Sequence, residues 1–136
     1  MRTTPKGGCT ATVVLITADE IYCANAGDSR VVMAEHGKAV ELSTDHKPTV
    51  PAEKERVEKA GGEIRDGRVK GALAMTRAIG DFNLKPAVPP KDADTSWYID
   101  NHPVTAVPEI VVKPLHKDIK FLVLACDGIW DCKTSE

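Results

Sequence analysis

Aromatic side chains are scarce: two Phe, two Trp and two Tyr in 136 residues. That excludes a platform on which successive bases stack. Basic charge is not in excess either. Eighteen Lys and Arg face 20 Asp and Glu, a net charge of −2, so no field exists to hold nucleic acid or an anionic membrane. No apolar run approaches the roughly 18–20 residues needed to span a bilayer. The start, Met1-Arg2-Thr3-Thr4-Pro5-Lys6, lacks the apolar segment of a signal peptide. A cytoplasmic or nuclear location is the resulting expectation. Cys9, Cys23, Cys126 and Cys132 form no Cys-x-x-Cys pair, against a zinc ribbon or a thioredoxin-like site. All four are expected reduced, with Cys23 and Cys126 packed as small buried hydrophobes. No internal repeat or low-complexity segment is visible.

What is present is a globular balance, 42% hydrophobic and 28% charged, in a length suited to one domain. Thr12–Thr17 is rich in β-branched residues and reads as a strand buried on both faces. Ile21–Ala26 reads as its hairpin partner, followed by strands at Arg30–Ala34 and Ala39–Leu42. Four short strands with tight turns predict an antiparallel meander. Pro51 and Gly61-Gly62 bracket a short surface helix anchored by Val57 and Ala60. Asp66-Gly67 between extended segments signals a type I′ hairpin. Pro86–Pro103 reads as surface loop, with Trp97-Tyr98-Ile99 either a docking spot or, as the simpler reading, a pin that holds it to the body. Pro108–Lys113 and Ile119–Cys126 read as further strands, the latter apolar enough for the middle of a sheet.

The strongest chemical signal is Asp127-Gly128-Ile129-Trp130-Asp131. A buried strand delivers an aspartate to a turn, and a hard divalent cation wants carboxylate oxygens on such a rigid support. If the segment after Gly128 turns helical, Asp127 and Asp131 can face one centre. The same pattern also suits a turn aspartate and a helix-capping aspartate. Gly27-Asp28-Ser29-Arg30 is a second strand-end signal, equally compatible with an Asp-Ser turn and a solvated arginine. His46 could act as a general acid by residue type, or serve as a local turn residue. His36, His102 and His116 lack metal-ligand spacing and read as solvated loop residues. Arg77 could clamp an anion, although an ion pair with a nearby aspartate is the simpler reading.

In order, Gly8-Cys9-Thr10-Ala11-Thr12, Gly27-Asp28-Ser29-Arg30, Asp45-His46-Lys47-Pro48, Glu53-Lys54-Glu55-Arg56-Val57, Gly61-Gly62, Arg77-Ala78-Ile79-Gly80-Asp81 and Cys126–Asp131 together resemble the metal-dependent protein phosphatases of type 2C. The resemblance implies an α+β fold: an antiparallel β-sandwich flanked by helices in four layers, α-β-β-α, incomplete at both ends here. It implies hydrolysis of phosphoserine and phosphothreonine in protein substrates with Mg²⁺ or Mn²⁺, two metals bridging the attacking water. Asp127 matches the aspartate of the central metal pair. Asp28 and Asp131 match aspartates that, with Asp127, hold a third, weaker ion. Residues 1–136 then form a partial catalytic domain, residues 52–85 carry the flap linked to substrate choice, and residues 86–105 are a long inserted loop.

The family's Asp-Gly-His-Gly-Gly motif, its upstream acidic pair with a phosphate-binding arginine, and its terminal Asp-Asn motif have no counterpart in these 136 residues. One matching carboxylate, Asp127, cannot offset the repulsion of two adjacent dications. The expectation is a chain inactive on its own, with no catalytic residue assigned beyond the metal ligands, and prone to self-association through exposed strand edges. The rival reading is a non-catalytic module that binds phosphoproteins or regulates a complete phosphatase.

Overall fold

The computed structural model describes residues 7–85 and 88–136. In chain order the strands among them are β1 (Gly8–Cys9), β2 (Ala11–Ile16), β3 (Glu20–Ala26), β4 (Arg30–Glu35), β5 (Lys38–Glu41), β6 (Ile64–Arg65), β7 (Arg68–Val69), β8 (Ile79–Gly80), β9 (Glu109–Pro114) and β10 (Ile119–Ala125). The α-helices are α1 (Pro51–Lys59), α2 (Thr95–Asn101) and α3 (Asp127–Trp130). The chain divides into two compact units, one built from the segment ending at Cys9 with His46–Val107, the other from Thr10–Asp45 with Pro108–Glu136.

The second unit is a sandwich of two three-stranded antiparallel sheets, ordered β2-β3-β9 and β10-β4-β5. Strand alternation turns Ile21 and Cys23 of β3 towards Val31 and Met33 of β4, with Leu42 beside them. Val14, Val111, Ile119 and Leu122 pack on this cluster from the neighbouring strands. Burying each large aliphatic side chain contributes about 1.5–3 kcal/mol.

The predicted meander is not what forms. β2 pairs with β3, and β4 with β5, but β3 and β4 lie in different sheets. The crossing is made at Gly27, whose φ of +120° lies in the left-handed region. A Cβ there would stand 2.4 Å from the Thr10 methyl, so only glycine fits the corner. Asn25 fastens it by donating to the carbonyls of Gly27 and Thr44, at 3.2 and 3.1 Å.

β2 and β10 are apolar on both faces, yet the described residues cover one face of each. Leu15 and Phe121 are 60% and 62% exposed. β10 is an edge strand rather than a central one. Apolarity on two faces reports what a strand is suited to touch; strand order decides what it touches within these residues. Cys126, expected inside, is exposed because it follows the last paired residue of β10. All four cysteines are free.

In the first unit α1 ends in a Schellman motif: the Gly62 amide donates to Val57 O and the Gly61 amide to Glu58 O. Its core is Val57, Val69, Ala78, Leu84 and Val104, with Ile64, Leu73 and Met75 against it. The β6–β7 hairpin turns at Asp66 and Gly67, both at positive φ as a type I′ turn requires. The stretch read as loop begins outside the described residues at Pro86 and contains α2, capped by Asp94, whose carboxylate accepts from the Trp97 amide. Proline content masked that helix, since the prolines flank it rather than interrupt it. The placement of Trp97, Tyr98 and Ile99 is partly buried, and Arg56 donates to the Ile99 carbonyl at 3.5 Å.

Candidate functional site

Asp28 sits in the corner between β3 and β4, 5% exposed. Its neighbour Ser29 shares a hydrogen bond of 2.7 Å with Thr10. β10 runs antiparallel to β4 with Ala125 opposite Arg30. Continuing that register brings Asp127 to the same end of the sheet as Asp28. There the chain enters α3 with Asp127 as its first residue, and the Asp131 amide closes a helical turn onto Asp127 O at 2.7 Å. The segment does turn helical, starting at Asp127 itself, and Asp127 and Asp131 are both exposed. Topology gathers the three aspartates at one end of β4 and β10. Their oxygens do not form a three-ligand group within 4.8 Å; among the described residues the group meeting that limit is Glu35, His36 and His116.

Arg30, expected in solvent, is a local organiser. Its Nε and Nη2 donate to Asp45 Oδ1 and Oδ2 at 2.9 and 3.0 Å, a bidentate pair. Nη1 donates to Glu41 and Ser135, and the guanidinium lies 5.5 Å from the centre of the Trp130 ring. Trp130 in turn donates from Nε1 to Ala125 O at 2.8 Å. The corner holding Asp28 and the helix holding Asp127 and Asp131 are thus tied through one arginine and one tryptophan.

A second network fills the first unit. Glu53 is 5% exposed. Its Oε1 accepts from Arg77 Nη2 at 2.6 Å and Nε at 3.2 Å. Its Oε2 accepts from Arg56 Nη2 at 3.2 Å and from Thr76 Oγ1. Burial pushes the Glu53 carboxyl up, but Arg77, Thr76 and Arg56 together outweigh it and bring the pKa down to about 2. Arg77 therefore pairs with a glutamate on α1 rather than with a nearby aspartate, and its Nη1 donates to Val107 O. Arg56 closes the unit by donating to the carbonyls of Thr76, His102 and Pro103. α1 is the surface helix expected, with Lys54, Glu55, Glu58 and Lys59 exposed, but Glu53 and Arg56 turn inward into this network.

His46 is buried, at 2% exposure, and its carbonyl accepts from the Thr76 amide at 2.8 Å. His102 is also buried, at 7% exposure. His116 and His36 are not independent loop residues: their rings stack with centroids 5.7 Å apart. Sequence spacing held no signal for them, since Glu35 and His116 stand 81 positions apart.

The family model described as Protein phosphatase 2C matches residues 1–136. Among curated relatives, Protein phosphatase 2C homolog 3 of Schizosaccharomyces pombe is 51% identical over 98% of this chain and 30% of its own length. Probable protein phosphatase 2C 11 of Oryza sativa is 49% identical over 97% of this chain and 34% of its own. Among solved structures, a C. elegans sex determining protein superposes with a TM-score of 0.77 at 30% identity, covering 95% of this chain and 29% of that one. A phosphatase from Toxoplasma gondii superposes at 0.67 with 36% identity, covering 86% and 34%. The chain spans about a third of the length of the curated relatives it matches. With the family model matched along the whole chain and an α+β arrangement of antiparallel sheets and helices shared with these neighbours, the chain belongs to the protein phosphatase 2C family.

Proposed function

We propose that this chain is the central part of a catalytic domain that releases phosphate from phosphoserine and phosphothreonine in proteins with Mg²⁺ or Mn²⁺. The observation that carries the reading is the register of β4 and β10, which puts Asp28 and Asp127 at one sheet end with Asp131 a turn further on. A set of carboxylate oxygens with room for water is the donor chemistry a hard divalent cation takes. The family resemblance assigns the three aspartates to one hydrated ion, and for a metal pair it supplies Asp127 as the single carboxylate. A bound ion supplies positive charge to a phosphate oxygen and lowers the pKa of water.

The chain's own residues hold the carboxylates. Arg30 and Trp130 brace their supports, and Gly27 sets the corner. Arg30, Arg56 and Arg77 are all committed to carboxylates and carbonyls, so none of the three serves as a phosphate clamp. The 136-residue chain by itself accordingly releases little phosphate. The same commitment favours the second reading, a non-catalytic module that binds phosphoproteins or regulates a complete phosphatase. Residues 52–85, the region implied to govern substrate choice, are held in shape by the Glu53 network under either reading.

Calorimetric titration with Mg²⁺ and a phosphopeptide assay, each on the chain and on Asp127→Ala, test this. The expected result is cation binding that Asp127→Ala abolishes, with little turnover. Binding that survives the substitution overturns the site. Turnover matching that of a complete domain overturns the inactivity.

A further inference from the structure

At the other end of β4 from Asp28, roughly 20 Å away by strand rise, a different set of ligands converges. Glu35 is the last residue of β4, and His36-Gly37 is the two-residue turn into β5, both at positive φ. His116 and Asp118 lie in the turn before β10. The two turns are joined by the His36 amide donating to Asp118 O at 3.3 Å. His116 Nε2 stands 2.7 Å from Glu35 Oε1. One ligand atom from each of Glu35, His36 and His116 falls within 4.8 Å of the other two. Asp118 Oδ2 faces Nδ1 of both histidines, at 3.9 Å from His36 and 3.8 Å from His116.

We propose that Glu35, His36 and His116 form a binding site for a zinc-type divalent transition-metal ion, separate from the aspartate end of the sheet. Two imidazoles and a carboxylate are a borderline donor set that selects Zn²⁺ or Co²⁺ over Mg²⁺ and Ca²⁺, which take oxygen ligands. Tetrahedral zinc with bonds near 2.0–2.1 Å asks for donors about 3.3 Å apart. The Glu35–His116 pair is already closer than that, and the His36 ring, 64% exposed, is free to swing in. The ion replaces the hydrogen bond between His116 and Glu35, and water takes the fourth position. Asp118 then orients the imidazoles from behind, as carboxylates do for metal-bound histidines. The site staples the β4–β5 turn to the turn before β10.

The test uses Co²⁺ as a spectroscopic probe and ZnCl₂ as competitor on the 136-residue chain. The expected result is a visible d–d band of four-coordinate Co²⁺ at one ion per chain, displaced by Zn²⁺ and not by Mg²⁺. His36→Ala and His116→Ala weaken the Co²⁺ binding read from this band about tenfold or more, Asp118→Asn weakens it roughly tenfold, and Asp127→Asn leaves the four-coordinate band unchanged. Circular dichroism confirms that the variants fold; His116→Gln replaces His116→Ala should the latter not. The proposal is overturned by absence of the band, by unchanged affinity in both histidine variants, or by loss in Asp127→Asn. A thiolate-to-cobalt charge-transfer band, placing the ion on the exposed cysteines, overturns it equally.

Discussion

Replacing Glu53 by Gln removes the charge that two partly buried arginines share. In the folded chain the carboxyl has a pKa of about 2 against an ordinary value of 4.5. The depressed value means that folding favours the ionised form, and the displacement corresponds to about 3 kcal/mol of folding free energy. That contribution is fully present above the unfolded value. It is lost as pH falls through the window from about 4.5 to about 2. At neutral pH Glu53→Gln keeps a partner for Thr76 but leaves Arg56 and Arg77, largely withdrawn from solvent, without a counter-charge. Stranding buried charges in this way costs about 3–5 kcal/mol, a large share of the roughly 5–15 kcal/mol that holds a domain together. Urea denaturation followed by circular dichroism and tryptophan fluorescence, at pH 7 and at pH 3, measures both effects. The wild-type chain should lose stability on acidification by more than Glu53→Gln does, because the variant has no carboxyl there to protonate. The difference between the two chains isolates Glu53 from the other carboxylates. Equal stability at pH 7, or parallel acid dependence, refutes the reasoning.

Two further outcomes follow from the sandwich. Gly27→Ala forces a Cβ into the Thr10 methyl at a φ of +120°; the backbone strain alone should cost about 1–3 kcal/mol, and adding Thr10→Ser should recover part of the loss in urea titration. On the outer face of β2-β3-β9, Leu15, Tyr22 and Val112 form one cross-strand row and Val13, Ala24 and Ile110 another. Because Leu15 is 60% exposed, Leu15→Lys should change stability by no more than about 0.5 kcal/mol while reducing self-association in sedimentation velocity. Undiminished association would place the contact elsewhere.

Strands, turns and the short helix were legible because they rest on local chemistry: β-branched runs, Asp66-Gly67, Pro51 and Gly61-Gly62. The sheet order was not. Whether β3 continues into β4 within one sheet or crosses to another is decided by a corner at Gly27, and a glycine followed by Asp-Ser looks the same as any turn. α2 was missed because its seven residues are flanked by prolines, with Asp94 as the cap that marks it. The strand end before Asp127 was legible because it rests on a local apolar run; the helical turn that follows was one of two options its spacing left open. The histidine cluster escaped notice because its members meet only through the register of β4 with β10.

The ordered motifs that carry the family resemblance turn out largely to be one another's partners. Arg30 of Gly27-Asp28-Ser29-Arg30 binds Asp45 of Asp45-His46-Lys47-Pro48. Glu53 and Arg56 of the α1 motif bind Arg77 and Thr76 at the Arg77-Ala78-Ile79-Gly80-Asp81 motif. Gly8 pairs with Gly80, and Gly62 closes on Val57. A buried charge removed from its partner costs more than either partner's contacts alone would suggest, so each pair constrains two distant segments together. Charged residues at such positions are therefore weak indicators of catalytic chemistry by themselves. Asp127 and Asp131 differ: they are exposed at the end of an apolar strand, where no arginine of these networks neutralises them. An aspartate that the fold holds rigidly and leaves open to solvent has the chemistry to accept a cation, and the roles proposed for Asp127 and Asp131 rest on that contrast.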